Sequence, residues 1–435
     1  MSLDIMLKQD KAALVEVNLD DWGPRGAVRA RLDGRDVLVD RGLPRERAIV
    51  EVRKRGRRKQ AMVHDVIEPS ADRIDAPCPA YALGCGGCQW QHLKYSAQVA
   101  TKVLLVEREL QRAGVDCAIS AAHSMEDPWR YRRTAAIAIG WEAGFRPKGR
   151  RGIVELHDCL ISHPLIGRLA DSLNGLLRAG ELPNYHGKVW LDCVVVGAGE
   201  PKLQILIQAV TGLTLETNPE LPQVASVLAA LPDVASVAFR HRSGDPVPLT
   251  GDLVSRIAVG DRSMYLPAGS FFQTNLDLLP RLLRELAHRV RGREFGQVAD
   301  VYGGVGALGL SIAHLVERLT LIELDPAAVE AAKMTAAEWG LENVSFVAAH
   351  AERALMELPS IDLAIVDPPR SGLGAAVTAA LAENASRICY VSCAPASLAT
   401  DLAHLQQRGF RLLDLQIFDF YPQTYHVESL AYLER

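Results

Sequence analysis

The sequence predicts an α/β protein whose C-terminal part forms a doubly wound parallel sheet, preceded by a small β-barrel and a mixed α+β region. From residue 296 onward, short apolar segments alternate with helical patterns, which is typical of a parallel sheet covered by helices. Residues 13–66 instead alternate in period two with glycines between the segments, which indicates a barrel of short antiparallel strands. The region between them carries a cysteine cluster and shows no clear repeat.

The length and composition are those of an ordinary soluble protein. A chain of 435 residues has room for about three domains, each with its own core. Hydrophobic residues make up 49% and charged residues 23%. The N-terminus lacks a signal-peptide pattern, and no apolar run is long enough to span a bilayer. We therefore expect a cytoplasmic protein that does not bind membranes, and we expect it to be a monomer.

Two basic stretches stand out in a chain whose net charge is −4. Such clusters attract phosphate backbones, although a solvated charged face is the ordinary alternative for either one. Two of them in an acidic chain favour nucleic acid as a partner. The first comprises Arg45, Arg47, Arg53, Lys54, Arg55, Arg57, Arg58 and Lys59, and the second Arg130, Arg132, Arg133, Arg146, Lys148, Arg150 and Arg151.

The remaining elements follow in order along the chain. Residues 68–77 are typical of a linker, and a helical pattern runs over 96–113. Residues 130–260 mix strand and helix patterns. The candidate parallel strands are 297–302, 319–323, 344–347, 361–366 and 387–391, followed by a closing antiparallel hairpin of 412–418 and 427–433.

A glycine-rich turn after the first parallel strand indicates a nucleoside ligand. Between Asp300 and Gly309, glycines let the backbone approach a ligand at a helix N-terminus. Glu323 ends the second strand, where a carboxylate can accept hydrogen bonds from both ribose hydroxyls. NAD satisfies both features. Asp367-Pro-Pro-Arg370 decides against NAD, because nucleic-acid and amide methyltransferases of this fold carry a prolyl turn there; an ordinary capped turn is the alternative.

Cys393 and Glu428 are the candidates for catalysis. Cys393 closes the fifth strand, and Glu428 opens the last one. If the last strand runs antiparallel beside the fifth, both residues lie at the edge where ligands bind in this architecture. They would then supply a covalent nucleophile and a general base. A core cysteine and a surface glutamate are the ordinary alternatives.

The cysteine cluster has metal-ligand character. Cys78, Cys85 and Cys88 lie close together in the sequence, and Cys159 is available as a fourth thiolate. Disulfides are not expected in a cytoplasmic protein. The spacing alone does not separate zinc from an iron–sulfur cluster, since both accept four cysteines. It does not match the Cys-x3-Cys-x2-Cys pattern of radical enzymes that use S-adenosylmethionine, which disfavours radical chemistry.

Nearly the whole chain resembles the bacterial RNA uracil-C5 methyltransferases, which make 5-methyluridine. The motifs that carry the resemblance are Cys-Gly-Gly-Cys-Gln-Trp-Gln-His from Cys85, Gly144-Phe-Arg with Ile153-Val-Glu-Leu-His-Asp-Cys159, Ser270-Phe-Phe-Gln273-Thr-Asn, Val391-Ser-Cys393-Ala-Pro and Tyr421-Pro-Gln-Thr-Tyr-His-Val-Glu428-Ser.

The resemblance implies a three-domain organisation. Residues 1–69 would form an OB-like TRAM barrel that binds RNA. Residues 70–262 would form a central α+β domain with a 4Fe–4S cluster, leaving open that the helix over 94–114 docks on the C-terminal domain. Residues 263–435 would form a Rossmann-like methyltransferase domain that binds S-adenosylmethionine.

The resemblance also implies roles for individual residues. Cys393 would be the nucleophile and Glu428 the base. The chain departs from the family pattern at Gly304, Ala307, His350 and Ala394, where cysteine is usual at the first position and asparagine is frequent at the other three. The expected cluster ligands are Cys78, Cys85, Cys88 and Cys159, and the expected donor-binding residues are Gln273, Tyr302, Gly303, Gly306, Ala307, Glu323, His350 and Asp367.

The implied activity is methylation of carbon 5 of a uridine in 23S ribosomal RNA, with S-adenosylmethionine as the donor. Addition of the Cys393 thiolate to carbon 6 would make carbon 5 nucleophilic, and the target base must be flipped or single-stranded to reach the site. A transfer-RNA uridine is an alternative substrate. An exocyclic-amine methyltransferase that uses Asp367-Pro-Pro, or an RNA-binding module that no longer binds the donor, are alternative functions.

Overall fold

The structure is a computed structural model that describes residues 12–55, 58–149, 151–209, 214–241 and 244–435. The chain divides into two compact units. The first comprises residues 1–105 and 421–425, and the second comprises residues 106–420 and 426–435.

The first unit is built on a closed five-stranded barrel. Its strands are β1 (Ala13–Trp22), β2 (Val28–Leu32), β3 (Arg35–Asp40), β4 (Arg47–Arg55) and β5 (Arg58–Glu68). They follow the order β1-β2-β3-β5-β4, and only the β3–β5 pair is parallel. Apolar side chains fill the interior together with the fully buried Trp90, whose ring centroid lies 5.2 Å from that of Trp22. Helix α1 (Pro79–Ala82) and the start of helix α2 (Tyr95–Arg112) follow the barrel.

A seven-stranded sheet occupies the N-terminal half of the second unit, with strand order β13-β12-β11-β10-β7-β8-β9. A separate hairpin and helices α3 (Pro164–Ala179) and α4 (Leu221–Ala229) accompany it. The short strand β6 (Ala121–His123) precedes it in the chain and joins another sheet. The strands are β7 (Thr134–Ile139), β8 (Ala143–Phe145), β9 (Val154–Glu155), β10 (Val189–Val196), β11 (Lys202–Ala209), β12 (Val234–His241) and β13 (Val247–Thr250), with the hairpin β14 (Val254–Val259) and β15 (Arg262–Pro267).

The C-terminal half of the second unit contains an eight-stranded, mostly parallel sheet. Its strands are β16 (Gln297–Val301), β17 (Arg318–Glu323), β18 (Val344–Ala348), β19 (Leu363–Val366), β20 (Arg387–Ser392), β21 (Arg411–Phe418) and β22 (Glu428–Glu434), with β6 at one edge. The helices are α5 (Leu279–Val290), α6 (Gly309–Ile312), α7 (Pro326–Glu338), α8 (Ala351–Glu357), α9 (Gly374–Asn384) and α10 (Pro395–Gln407).

The topology of this sheet determines where a ligand can bind. The strand order is β18-β17-β16-β19-β20-β22-β21-β6, so the chain reverses its direction of travel across the sheet between β16 and β19. All four residues of β19 are buried, as expected for a parallel strand covered on both faces. Ligands bind beyond the carboxyl ends of the strands at such a reversal.

The structure confirms the predicted α/β class and the N-terminal small barrel. The five parallel strands and the closing hairpin lie within a few residues of the predicted positions. The prediction missed β6, because three residues are too few for a detectable alternation. Arg57 and Arg150, from the two basic stretches, lie outside the described residues. In the described ranges, no helix combines the length and apolarity needed to cross a lipid bilayer.

Candidate active site

Cys393 and Glu428 are brought together at the carboxyl end of β20. Cys393 directly follows this strand, and Glu428 is the first residue of β22. The two strands are antiparallel and pair Ser392 with Ser429. The next position in this register joins Cys393 to Glu428, so the strand pairing itself makes the thiol and the carboxyl neighbours.

The Cys393 thiol is half-buried and interacts with three charged groups. Burial raises the pKa of this thiol to about 11, and the carboxyl groups of Glu428 and Asp367 act in the same direction. Arg370 opposes them by its charge and by a hydrogen bond to the thiol. A thiol with this pKa is protonated at neutral pH, so formation of the thiolate depends on groups that stabilise its charge, and Arg370 is such a group.

Glu428 is a buried carboxyl group with an unused acceptor. Glu428 is 2% exposed, and its Oε1 has no hydrogen-bond partner in the described part of the chain. Burial, followed by the charge of Asp367, raises the pKa of this carboxyl well above its usual range. A carboxyl in this condition can hold a proton taken from a ligand.

The loop after β19 presents both Asp367 and Arg370 to this pair. Gly372 N–H donates to the carbonyl oxygen of Pro369 at 2.8 Å, which closes a turn around Arg370. Ser397 Oγ donates to the carbonyl oxygen of Arg370 at 3.0 Å. The turn is therefore attached to helix α10, which begins immediately after the nucleophile.

Asp401 completes this attachment from inside α10. The residue is buried, and its Oδ2 accepts hydrogen bonds from Leu373 N–H at 2.8 Å and from the Tyr390 hydroxyl at 2.6 Å. Gly372 has a φ of +84°, and a Cβ atom there would collide with Asp401 Oδ2. Only glycine allows the loop to approach the carboxylate this closely.

The glycine-rich turn after β16 is fixed by two carboxylates. Gly309 N–H donates to Asp300 Oδ2 at 2.9 Å. Gly304 N–H donates to Glu323 Oε2 at 2.9 Å, and Glu323 Oε1 accepts from Asp325 N–H at 2.9 Å. Gly304 has a φ of +54° with open space where a Cβ would lie. The predicted nucleoside site is thus an open backbone turn beside an oriented carboxylate.

Gln273 and Asp367 meet next to this turn. Gln273 is buried, and its Nε2 lies 3.4 Å from Asp367 Oδ2, while its Oε1 has no partner among the described residues. Burial raises the pKa values of Asp300 and Asp367 to about 7 each. Two buried acids and an unsatisfied amide oxygen form a polar surface suited to a cationic, hydrogen-bonding ligand.

The other predicted donor-site residues differ in backbone conformation and in burial. Tyr302 has a φ of +63°, a strained conformation for a residue other than glycine, and burial raises the pKa of its hydroxyl to about 12. Gly303 and Gly306 shape the turn, since Gly306 N–H donates to the carbonyl oxygen of Gly303 at 2.8 Å. Ala307 is half-buried, and His350 is exposed before α8.

The cysteines Cys78, Cys85 and Cys88 belong to the loop around α1 in the first unit. Gly87 N–H donates to Cys85 Sγ at 3.5 Å, a contact that suits a thiolate. The side-chain oxygen of Gln91 accepts from Cys78 N–H at 3.3 Å. The Gln-Trp-Gln-His part of the cysteine motif thus supports the loop that carries the thiols.

Three of the four predicted cluster ligands, Cys78, Cys85 and Cys88, lie in the first unit. Cys159 belongs to the second unit. Within the ranges that the structure describes, no three His, Cys, Asp or Glu side chains form a group that could hold a metal ion. None of the eight cysteines, all of which lie among the described residues, forms a disulfide. The local chemistry of the 78–88 loop fits thiolate ligation, and the assembled ligand set remains a prediction.

Comparison with known proteins identifies the family. Residues 240–435 match a family model described as tRNA (Uracil-5-)-methyltransferase. A protein of Halalkalibacterium halodurans, described as an uncharacterized RNA methyltransferase, is 30% identical to this chain, and the similarity covers 98% of both proteins. The chain belongs to the RNA (uracil-5-)methyltransferase family. This methyltransferase is an enzyme that uses S-adenosylmethionine to methylate carbon 5 of uracil in RNA.

Further relatives and a solved structure agree with this assignment. An RNA methyltransferase of Listeria monocytogenes is 31% identical over 92% of both chains, and one of Caldanaerobacter subterraneus is 30% identical over 97% of this chain and 98% of its own. The tRNA (uracil-54, C5)-methyltransferase of Pyrococcus abyssi, solved with S-adenosyl-L-homocysteine, covers 96% of this methyltransferase and 100% of its own chain with a TM-score of 0.74 at 22% identity. That likeness establishes the methyltransferase fold.

Sequence reasoning missed two residues of this site. Arg370 belongs to the Asp-Pro-Pro-Arg motif, and its position three residues after Asp367 on the same turn is the sequence signal that could have identified it. Asp401 gave no signal, because an aspartate in the middle of a helical pattern ordinarily faces solvent. Its burial follows from the approach of the 368–373 loop, which is a tertiary contact.

Proposed function

We propose that this methyltransferase modifies a uridine of ribosomal RNA through a covalent bond between Cys393 and carbon 6 of uracil, with Glu428 as the base. The register of β20 and β22 is the main support, since it makes a half-buried thiol the neighbour of a buried carboxyl at the ligand-binding edge of the sheet. Arg370 adds a cation that interacts with both groups.

The covalent step activates a carbon that is otherwise too weak a nucleophile. The Cys393 thiolate forms a bond to carbon 6, and the electron pair of the 5,6 double bond becomes an enolate shared between carbon 5 and the oxygen on carbon 4. Arg370 stabilises the thiolate before this addition. Carbon 5 would then carry enough electron density to form the new bond to the methyl group, as the bond between that methyl and the donor sulfur breaks and its electron pair stays on the sulfur.

Glu428 completes the reaction by removing the hydrogen of carbon 5 as a proton. The electron pair of that C–H bond restores the 5,6 double bond, and the bond between carbon 6 and Cys393 breaks to release the thiolate. The raised pKa of Glu428 suits this step, because its carboxylate binds a proton strongly. Its unused Oε1 is the acceptor that we assign to this proton.

The donor is held, in this proposal, by the turn after β16 and its neighbours. S-adenosylmethionine supplies an electrophilic methyl group when bound. The Glu323 carboxylate would accept hydrogen bonds from the ribose hydroxyls, and Gln273 and Asp367 would hold the polar end of the donor. The predicted ligands Gly303, Gly306 and Tyr302 contribute backbone. For Ala307 and His350 a donor role rests on the resemblance alone.

We also propose that the N-terminal barrel binds RNA and that the region of residues 70–262 carries an iron–sulfur cluster. The barrel is assigned as a TRAM domain, and Cys78, Cys85, Cys88 and Cys159 as the four ligands of a 4Fe–4S cluster. The support is the cysteine motif itself and the N–H contact to Cys85 Sγ. The cluster takes no part in the methylation steps, and we propose a structural role for it.

Ribosomal RNA is the first choice of substrate because the sequence resembles the bacterial 23S ribosomal-RNA (uracil-C5)-methyltransferases. Transfer RNA is the second choice, since the matching family model names tRNA and the Pyrococcus abyssi enzyme acts on uracil 54 of tRNA. Mapping 5-methyluridine in both RNA classes from cells with and without the gene distinguishes them. Loss from 23S ribosomal RNA alone supports the proposal, and loss from tRNA alone overturns the choice.

The carbon-5 chemistry is tested by RNA that carries tritium on carbon 5 of uracil. Methylation at carbon 5 must release one tritium for each methyl group gained. Methyl incorporation without tritium release would instead support the exocyclic-amine reaction.

A further inference from the structure

Trp141 is the most exposed large apolar side chain in the part of the chain that the structure describes, at 82% of its surface. It lies in the turn between β7 and β8. The ring of His186 approaches it edge-on, with 6.0 Å between centroids and 85° between planes. Burial of an exposed indole against a ligand is energetically favourable, and a further aromatic ring can stack on a pair of rings of this kind.

Hydrogen bonds fix the backbone of the turn that carries His186 against the strand that leads to Trp141. Gly187 N–H donates to the carbonyl oxygen of Ile139 at 2.8 Å, which joins the His186 turn to the strand that leads to Trp141. Asn184 Oδ1 accepts from His186 N–H at 2.7 Å. His186 also has a φ of +51°, a conformation that a residue of this kind adopts only when its surroundings impose it. The two rings are therefore carried by backbone segments that are already ordered, which lowers the entropy cost of binding a ligand there.

Basic side chains surround this aromatic pair. A guanidinium nitrogen of Arg146 donates to the carbonyl oxygen of Gly187 at 2.6 Å, which anchors the cation beside His186. Lys188, the residue after Gly187, is exposed. Glu142, the residue after Trp141, is an acidic residue in the same turn. The loop 146–153 adds the exposed side chains of Lys148 and Arg151.

The arginines at the start of the second basic stretch, by contrast, lie close to acidic side chains. Arg130 forms an ion pair with Asp158 at 2.7 Å, and Arg133 lies 3.8 Å from Asp277. Their charges are partly neutralised within the protein. The exposed Arg146 and Lys188 near Trp141 therefore offer a ligand more positive charge than Arg130 and Arg133 do.

We propose that Trp141 and His186 form a stacking site for an unpaired base of the RNA substrate, with Arg146 and Lys188 contacting the flanking phosphates. An aromatic platform inside a cationic rim matches single-stranded RNA, because bases stack on it and phosphates pair with the rim. The inference rests on the proposed function only in taking RNA as the ligand.

The test measures equilibrium binding of a labelled oligouridylate in the absence of methyl donor. Trp141→Ala should weaken binding by about 5-fold or more, whereas Trp141→Phe should retain most of the affinity. The slope of log affinity against log salt should not change in Trp141→Ala but should fall by about one in Arg146→Ala. Met356→Ala, which removes an apolar side chain that is 74% exposed on α8, is the matched control.

Equal affinities of the Trp141→Ala and Met356→Ala variants would overturn the proposal, including the case in which Trp141 binds a protein instead. Failure of the methylation mechanism gives a different result. The Trp141→Ala variant should still form the Cys393 adduct at saturating RNA, while a defect in Cys393 chemistry leaves oligouridylate binding unchanged.

Discussion

The hydroxyl of Tyr390 donates to Asp401 Oδ2 at 2.6 Å, and that same oxygen accepts Leu373 N–H at 2.8 Å. Tyr390 lies on the strand that ends at the nucleophile, and Asp401 lies on the helix that follows it. Leu373 ends the loop that carries Arg370. One buried carboxylate therefore holds the strand, the helix and the loop in the arrangement that turns Arg370 toward Cys393.

We predict that Asp401→Ala lowers kcat and moves the rise in rate to higher pH. Without the carboxylate the loop loosens, Arg370 no longer opposes the raised pKa of Cys393, and less thiolate forms at neutral pH. A pKa change of one unit corresponds to roughly a tenfold change in thiolate fraction. Steady-state rates measured across pH check this. Asp401→Asn keeps an acceptor for Leu373 and should lose less; an unchanged pH profile in the alanine variant would remove Asp401 from this role.

Glu428→Gln should stall the enzyme after methyl transfer. The amide cannot take the carbon-5 proton, so the bond between Cys393 and uracil persists with ordinary uridine substrate. Denaturing gels should show a protein–RNA adduct that clears slowly. Glu434→Gln, at the other end of the same strand, where Glu434 pairs with Arg387 at 2.7 Å, is the control and should turn over normally. Prompt release of methylated RNA by Glu428→Gln would exclude Glu428 as the base.

The buried Asp300 should make stability depend on pH. Its pKa is raised to about 7, so the folded protein holds a proton that the unfolded chain has released above the ordinary pKa of 3.8. Stability from this group is full below that ordinary value and is lost as pH rises through about 7. The Asp300→Asn variant has no carboxyl group at this position, so it should not lose this stability as the pH rises. Its free energy of unfolding, relative to wild type, should rise by a few kcal/mol between about pH 5 and about pH 8 in urea titrations. Parallel curves for the two proteins would contradict the assignment.

The four cysteines should hold iron and not zinc. Protein purified without oxygen should be brown and contain iron and sulfide in about equal amounts. Cys85→Ser and Cys88→Ser should lose the colour and several kcal/mol of stability, by analogy with the roughly 4–5 kcal/mol of a long disulfide loop. Cys117→Ser, outside the set, should lose neither. Stoichiometric zinc without sulfide would overturn the iron assignment, and unchanged stability in the first two variants would overturn the structural role.

The parts of the fold that sequence could predict are those with strong local periodicity. The fully apolar β19 and the glycine-rich turn after β16 can be recognised in the sequence. In the barrel strands, apolar and polar residues alternate as expected for half-buried strands. The neighbouring positions of Cys393 and Glu428 were also predictable, because they follow from the antiparallel direction of one strand. The three-residue β6 was beyond reach, since its single partner is β21, far along the chain.

The finer features of the site depend on contacts that no local pattern encodes. Asp401 is buried because a loop 28 residues earlier packs against it. Trp141 is exposed in the turn that joins β7 to β8. The raised pKa of Glu428 likewise comes from burial and from Asp367, which is distant in the sequence. Such properties require the assembled fold.

The central claim is that Cys393 bonds covalently to the substrate base, and RNA containing 5-fluorouridine tests it most directly. Fluorine on carbon 5 cannot leave as a proton does, so the methylated adduct cannot resolve. Incubation with S-adenosylmethionine, proteolysis and mass spectrometry should find the methylated fluorouracil attached to the peptide that contains Cys393, and Cys393→Ala should form no adduct while still binding the donor. Methylation of ordinary RNA by Cys393→Ala, or attachment of the fluorouracil to another residue, would contradict the account.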